Sequence, residues 1–411
     1  MDPISLCALV LLTFSGFAAS QNTVANLPGF EGDLPFKLET GYVGVGESNE
    51  IQLFYYFVES HRSPTKDPLM IWQSGGPGAS AQTALFYEHG PLGFTTADYK
   101  GSLPSLRLNP YALTQRVNIL YVDVPVGTGF SYSTTQEGYY TDDLKSAADT
   151  TQFIRKWLID HPQYLTNALY IAGESYAGKP VPIIVQNIHK DNEAGLEPYL
   201  NLRGYLLPNP LTDTIIDGNS PIPFAHRMTL IPDELYESAK ESCNGNYINV
   251  DERNTRCVAV IAAIDQLLLY INTRHILEPT CQPASPRLGG NQKRSLQQYY
   301  DSENILPLKP RSHSSWCRDR IDDIHKVWVN DKSVQKALNV REGTIGVFER
   351  VNKTIVLRTY RMNVASTVEY HRHGDHDMLI PHIGTQNWIR SLNLKASEIW
   401  RAWFVDGQVA G

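Results

Sequence analysis

Apolar runs of strand length alternate with helix-period stretches between Pro68 and Asn209. Pro68–Gly75 (PLMIWQSG) and Val117–Pro125 (VNILYVDVP) are continuous apolar segments that end in turns, the pattern of buried strands. Leu169–Gly173 (LYIAG) and Leu202–Leu207 (LRGYLL) carry the same signal. Between them Thr141 caps an expected helix, with Asp142 and Asp143 in its first turn. Ala147, Ala148, Phe153, Ile154, Trp157 and Leu158 recur there at helical spacing. A second helix is expected over Pro182–His189. Strands alternating with helices predict an α/β chain with a mostly parallel, helix-covered sheet. After Asp217 the pattern changes. Phe224–Leu277 reads as mainly helical, most clearly over Val258–Tyr270, and residues 279–315, rich in Pro, Ser, Gly and Arg, read as a surface loop.

The 42% of apolar residues in 411 is enough for a large core, and the net charge of -7 supplies no basic field. A nucleic-acid partner is therefore not expected. Met1–Ser20 holds an unbroken apolar stretch, Leu6–Leu12, then Phe14, Phe17 and the small residues Ala18-Ala19-Ser20. That is the pattern of a signal peptide, too short to span a bilayer, although its n-region has no Lys or Arg. No later run reaches membrane-spanning length, so no membrane anchor is expected. Removal of the signal takes Cys7 and leaves Cys243, Cys257, Cys281 and Cys317, an even number that an oxidising compartment could pair in three ways. Cys243 and Cys257 flank a short polar segment and are the preferred pair, a loop closure worth roughly 3 kcal/mol. Asn352-Lys353-Thr354 is the one N-glycosylation acceptor.

Three segments carry chemistry. Gly173-Glu174-Ser175-Tyr176-Ala177-Gly178 lies between an expected strand and an expected helix, where a tight turn lifts a nucleophilic hydroxyl clear of the backbone. Trp72-Gln73-Ser74-Gly75-Gly76-Pro77-Gly78 is a Gly-rich turn after a strand, suited to presenting N–H groups to an oxyanion. Gly374-Asp375-His376-Asp377-Met378-Leu379-Ile380-Pro381 offers an acid, and the order Ser then Asp is that of an α/β-hydrolase. No metal and no cofactor are expected: Cys and His lack paired ligand spacing, and the GGPG turn lacks the Lys-Ser/Thr of a phosphate loop.

With these motifs the chain resembles the plant serine carboxypeptidase-like proteins. The matching segments are LPGFEGDLPFKLETGYVGV (27–45), GGPG (75–78), DVPVGTGFSYS (123–133), GESYAG (173–178), PNPLTD (208–213), IPFAHRMTLIPDELYES (222–238) and GDHDMLIPHIGTQNWIRSLNL (374–394). The resemblance implies an α/β-hydrolase fold with a mainly helical cap. Its expected parts are a signal peptide over 1–20, the first part of the core over 21–213, the cap over 214–345 and the rest of the core over 346–411. It also implies Ser175 as acylating nucleophile, Asp377 as triad acid, and the N–H groups of Gly76 and Tyr176 as the oxyanion hole. Glu174, Gly75 and Ser74 would bind substrate, Glu174 by sharing a proton with a peptide's carboxylate.

Ser74 stands where peptidases of this family have Asn. With the PVGTGFSY wording it leans the expectation toward the acyltransferase branch, which moves an acyl group from a glucose ester to an alcohol or amine. The partners would be a small-molecule acyl donor and acceptor, or a peptide if the chain is a carboxypeptidase. The setting would be the secretory pathway, extracellular or vacuolar. Three further departures stand out. Ala79 and Val351 replace a cysteine pair of the family. About a dozen residues, enough for one strand and its turn, are missing before Gly374, which leaves Asp377 no evident route to the catalytic end of the sheet. The family's triad His has no counterpart before Gly411, and His382 lies too close to Asp377 to serve. The other histidines match no motif and are expected to be surface or structural. The resemblance thus implies a truncated product, with an inactive isoform as a third expectation.

Overall fold

The computed structural model describes residues 22–96, 99, 101–278, 318–362, 371–372, 376–393, 402, 404–405 and 407–409. The expected signal segment, the 279–315 loop, Cys281 and Cys317 lie outside the described residues.

Eight strands lie side by side: β1 (Asn22–Val24), β2 (Leu38–Val45), β3 (Ile51–Val58), β4 (Leu69–Gln73), β5 (Asn118–Val122), β6 (Leu169–Gly173), β7 (Leu202–Pro208) and β8 (His371–Arg372). Their order is β1-β2-β3-β5-β4-β6-β7-β8, and Tyr132–Ser133 pairs with β3 as a ninth strand. From β1 to β5 the neighbours are antiparallel; from β5 to β8 they are parallel. Every residue of β4 and β5 is buried, as two-sided parallel strands require.

The four strands expected from apolar runs all form. The first helix, α1, spans Asp143–Asp160, and its N-cap is Asp142, whose carboxylate accepts from the Lys145 N–H. Thr141 is not the cap: its backbone pairs with Tyr360 in a two-residue ladder. The second helix, α2, runs from Pro180 to Glu193, two residues earlier and four later than expected. Phe153, Trp157, Ile184 and Ile188 press these helices onto one face of the sheet, each burial worth about 1.5–3 kcal/mol. The other face carries Phe86, Trp328 and Phe348.

Beyond β7 come α3 (Pro221–Arg227), α4 (Asp233–Cys243) and α5 (Thr255–Leu268). Cys243 and Cys257 are disulfide-bonded, 5.1 Å apart at Cα, and tie the end of α4 to α5. Phe224 and Ile264 centre this helical cluster, which also takes in Met378 and Ile383, the latter from the later helix His382–Ser391. Among the described residues no helix is long and apolar enough to cross a membrane.

Ala79 and Val351, the positions of the absent cysteine pair, face each other across an antiparallel bridge. The Ser80 N–H donates to the Arg350 carbonyl at 2.8 Å, and the Asn352 N–H to the Gly78 carbonyl at 2.9 Å.

Candidate active site

Strand β6 ends at Gly173, and two residues later Ser175 turns into the left-handed region with φ 54°. A non-glycine residue there costs about 1–3 kcal/mol, so the surroundings must hold it. They do: the Ala177 N–H donates to the Glu174 carbonyl at 2.9 Å, and the Leu211 N–H to the Ser175 carbonyl at 2.7 Å. The Gly-rich turn after the neighbouring strand β4 lies directly against this elbow. A Cβ on Gly75 would fall 2.7 Å from the Ser175 Cβ and 2.8 Å from the Tyr176 nitrogen, so only glycine permits the approach. Gly75, Gly76, Glu174 and Ser175 line one cleft of about 590 Å³.

Asp377 lines the same cleft. The expectation that it has no route there is corrected by two observations. Strand β8 is only two residues long, yet it pairs in parallel with Leu207 and Pro208 at the edge of the sheet. The loop after it is then clipped to the segment following α5: Ile276 N–H donates to the His376 carbonyl, and Met378 and Leu379 N–H to the Thr273 carbonyl, at 2.9–3.0 Å. With Met378 buried in the helical cluster, these bonds do the work assigned to a longer strand. The Asp377 carboxylate accepts from Asn209 Nδ2 at 2.6 Å and from the Leu379 and Ile380 N–H groups at 2.8 and 3.2 Å. Burial pushes this carboxyl above the ordinary range, while those three donors and the charge of His275 pull it back.

Other expected residues are placed differently. Ser74 is buried, its hydroxyl has no hydrogen-bond partner, and it lines a separate cavity of about 10 Å³ with Gln73, Tyr176 and Tyr360 rather than the cleft. Tyr176 is likewise buried, and its hydroxyl donates to Asp143 Oδ1 at 2.7 Å. Asn352 caps the helix Lys353–Arg358 by accepting from the Thr354 N–H, and its Nδ2, the atom a glycan would occupy, donates to the Gly127 carbonyl at 3.0 Å.

Asn209, His275 and His376 were not singled out by sequence. Asn209 lies in the PNPLTD segment one residue past β7, where open α/β sheets gather functional groups. His275 and His376 line the cleft, their rings stacked with centroids 5.5 Å apart. These two are therefore not merely surface residues. Arg350, paired with Asp322 at 2.9 Å, and Arg274 supply positive charge at the rim. No group of three or more metal-ligating side chains is found among the described residues.

A serine elbow at the end of a strand against a Gly-rich turn, with a carboxylate at the carboxyl ends of parallel strands, is the arrangement of an α/β-hydrolase. The chain matches the serine carboxypeptidase family over residues 28–411 and belongs to it. It is 43% identical to serine carboxypeptidase-like 17 of Arabidopsis thaliana over 98% of this chain and 87% of that protein. Serine carboxypeptidase-like 16 of the same plant is also 43% identical, over 100% and 89%. A prohormone-processing carboxypeptidase from Saccharomyces cerevisiae shares the fold, with a TM-score of 0.59 at 17% identity over 85% of this chain and 76% of that one.

Proposed function

We propose that the chain acts through an acyl-enzyme on Ser175 and transfers acyl groups from glucose esters to an alcohol or amine. The observation that carries the acyl-enzyme is the contact of the Ser175 elbow with Gly75 in a cleft that also holds Asp377 and Glu174. Ser175 Oγ would add to the donor's carbonyl carbon, and the N–H groups of Gly76 and Tyr176 would take the oxyanion. The hydroxyl proton needs an acceptor, since serine is a weak nucleophile at neutral pH. Among the described residues the candidate is His275, whose Nδ1 is buried without a hydrogen-bond partner in the same cleft. Asp377 would balance the imidazolium, which returns the proton to the departing sugar. The acceptor then attacks the acyl-serine by the same proton path in reverse.

The transfer reading draws on the DVPVGTGFSYS wording, not on Ser74, whose side chain lies outside the cleft. A carboxypeptidase is the second reading, favoured by Glu174 in the cleft, where it could share a proton with a peptide's terminal carboxylate. A secreted or vacuolar setting fits the N-terminal pattern and the disulfide. Incubation with an acyl-glucose and an alcohol or amine should yield the transferred ester or amide; trimming of peptides alone would sink that reading. Fluorophosphonate labelling that persists in Ser175→Ala would move the nucleophile elsewhere.

A further inference from the structure

The segment DVPVGTGFSYS follows β5 and its role is not explained by the site described so far. Its first residue, Asp123, is fully buried beneath the Gly-rich turn. Every group around its carboxylate is a donor. Oδ1 accepts from Ser80 Oγ at 2.6 Å and from the Ala81 N–H at 2.9 Å. Oδ2 accepts from the Phe130 N–H at 3.1 Å and from the Tyr56 hydroxyl at 3.4 Å. The donors are fixed in turn: Gln82 Nε2 donates to the Tyr56 oxygen at 2.7 Å, and buried His325 meets Gln82 Oε1 at 2.5 Å through Nε2. Burial holds His325 neutral, far below its usual range, at about 3. Because Gln82 Oε1 can only accept, the ring's proton sits on Nε2, which orients the amide and leaves the Tyr56 proton to Asp123. Gly129 completes the grip: with φ +55°, a Cβ there would lie 2.1 Å from Asp123 Oδ2. Gly129 is thus explained by room for a carboxylate.

Ser80 and Ala81 are the residues on which the turn Gly75–Gly78 comes to rest, the turn being closed by the Ala79 N–H on the Gly75 carbonyl at 3.1 Å. We propose that Asp123 is a positioning residue for the oxyanion turn: by gripping Ser80 and Ala81 from below it fixes the Gly76 N–H relative to Ser175. The inference rests on the reading of Gly76 as an oxyanion donor. It explains why the residue is Asp and not Asn. An amide in this place must turn NH₂ toward the Ala81 or the Phe130 N–H, two donors with no acceptor between them, and a buried unsatisfied donor is costly.

The test uses the full chain, with Asp123→Asn and Ser80→Ala compared well below their melting temperatures. Two readouts are taken: amide hydrogen exchange over residues 75–83, and the rate of Ser175-dependent fluorophosphonate labelling of the folded fraction. In Asp123→Asn exchange should accelerate in that segment and not in α1 or α2. Labelling should slow about tenfold to a hundredfold, somewhat less than removing an oxyanion donor outright. Ser80→Ala should shift both in the same direction by less, and it decides the matter if Asp123→Asn does not fold. Unchanged exchange over 75–83, or folded variants labelled at the wild-type rate, would overturn the inference while leaving the Ser175 reading intact. A wild-type chain with no Ser175-dependent labelling overturns both.

Discussion

The facing pair Ala79 and Val351 invites restoration of a covalent tie. In Ala79→Cys/Val351→Cys the two sulfurs would start from a bridge of the non-hydrogen-bonded kind, because the flanking residues Ser80 and Asn352 make the hydrogen bonds. Such pairs have Cα atoms about 4.5 Å apart, inside the range that a disulfide spans. Ala79 is buried, and cysteine is among the residues that interiors tolerate best. The closed loop of about 270 residues would restrict the unfolded chain by about 5–6 kcal/mol in the entropic model, of which about 2–4 survives native strain in typical cases. Unfolding entropy scales with length, so at this size each kcal/mol moves the melting temperature by about 1 °C. The expected outcome is loss of the two added thiols to alkylation and a melt about 2–5 °C higher, abolished by reductant. Failure of the bond to form under oxidising conditions, or a bonded chain that melts lower, would show that residues 78–80 and 350–352 are not paired.

Gly75→Ala should abolish Ser175 labelling and lower stability by about 1–3 kcal/mol, because its methyl meets Ser175 and Tyr176 atoms at 2.7–2.8 Å; labelling at the wild-type rate would refute the contact. Ser74→Asn should destabilise by about 1–3 kcal/mol, measured by chemical denaturation, since the larger amide must enter a cavity of about 10 Å³. The same variant should leave the ratio of peptide trimming to acyl transfer unchanged, because the side chain does not reach the cleft. Burial raises the Asp123 carboxyl from 3.8 to about 6, so between those pH values the folded chain holds a proton that the unfolded chain has released. That group alone makes stability rise as pH falls from 6 to 4, by roughly 2 kcal/mol. Asp123→Asn should lose this slope in denaturation curves at pH 4, 5, 6 and 7, keeping the like contribution of Asp217, which burial also raises to about 6.

The parallel half of the sheet was legible because a strand covered on both faces must be apolar throughout, as Leu69–Gln73 is. Strand β2 was hidden by Gly41 and Gly44, which depress strand propensity; β3 (IQLFYYFV) was not hidden at all and carried the same signal as β4. Ser175 and the Gly-rich turn were legible because each is set by local backbone chemistry. The partners of Asp377 were not. Asn209 and His275 reach it through ladder bonds between segments far apart in sequence, and no local pattern records that Thr273 will accept from Met378. For the same reason a missing stretch before Gly374 suggested a stranded acid, when the loop is carried by contacts outside the sheet. Ser74 misled in the opposite way: its position in the motif was correct, but its side chain lines a cavity beside Tyr176 and Tyr360 and not the cleft.

The three ties on the Gly-rich turn also decide what a disulfide between residues 79 and 351 would do to the site. The two bridge hydrogen bonds are worth about 0.5–1.5 kcal/mol each, and a bond to the buried Asp123 carboxylate about 1.5–3. Together they match the 2–5 kcal/mol typical of a native disulfide. They act, however, only in the folded state, whereas a disulfide acts largely by restricting the unfolded one. Within the native structure the turn is already fixed by Gly75 against the elbow, by Ser80 and Ala81 on Asp123, and by the ladder to Arg350 and Asn352. A bond restored between residues 79 and 351 therefore adds stability without moving Gly76. Its signature is a higher melting temperature at an unchanged rate of Ser175 labelling, whereas loosening Asp123 should slow labelling even where the melt is little affected. Opposite assignments, with the new bond accelerating labelling and the Asp123 variant sparing it, would place control of the turn in the covalent tie.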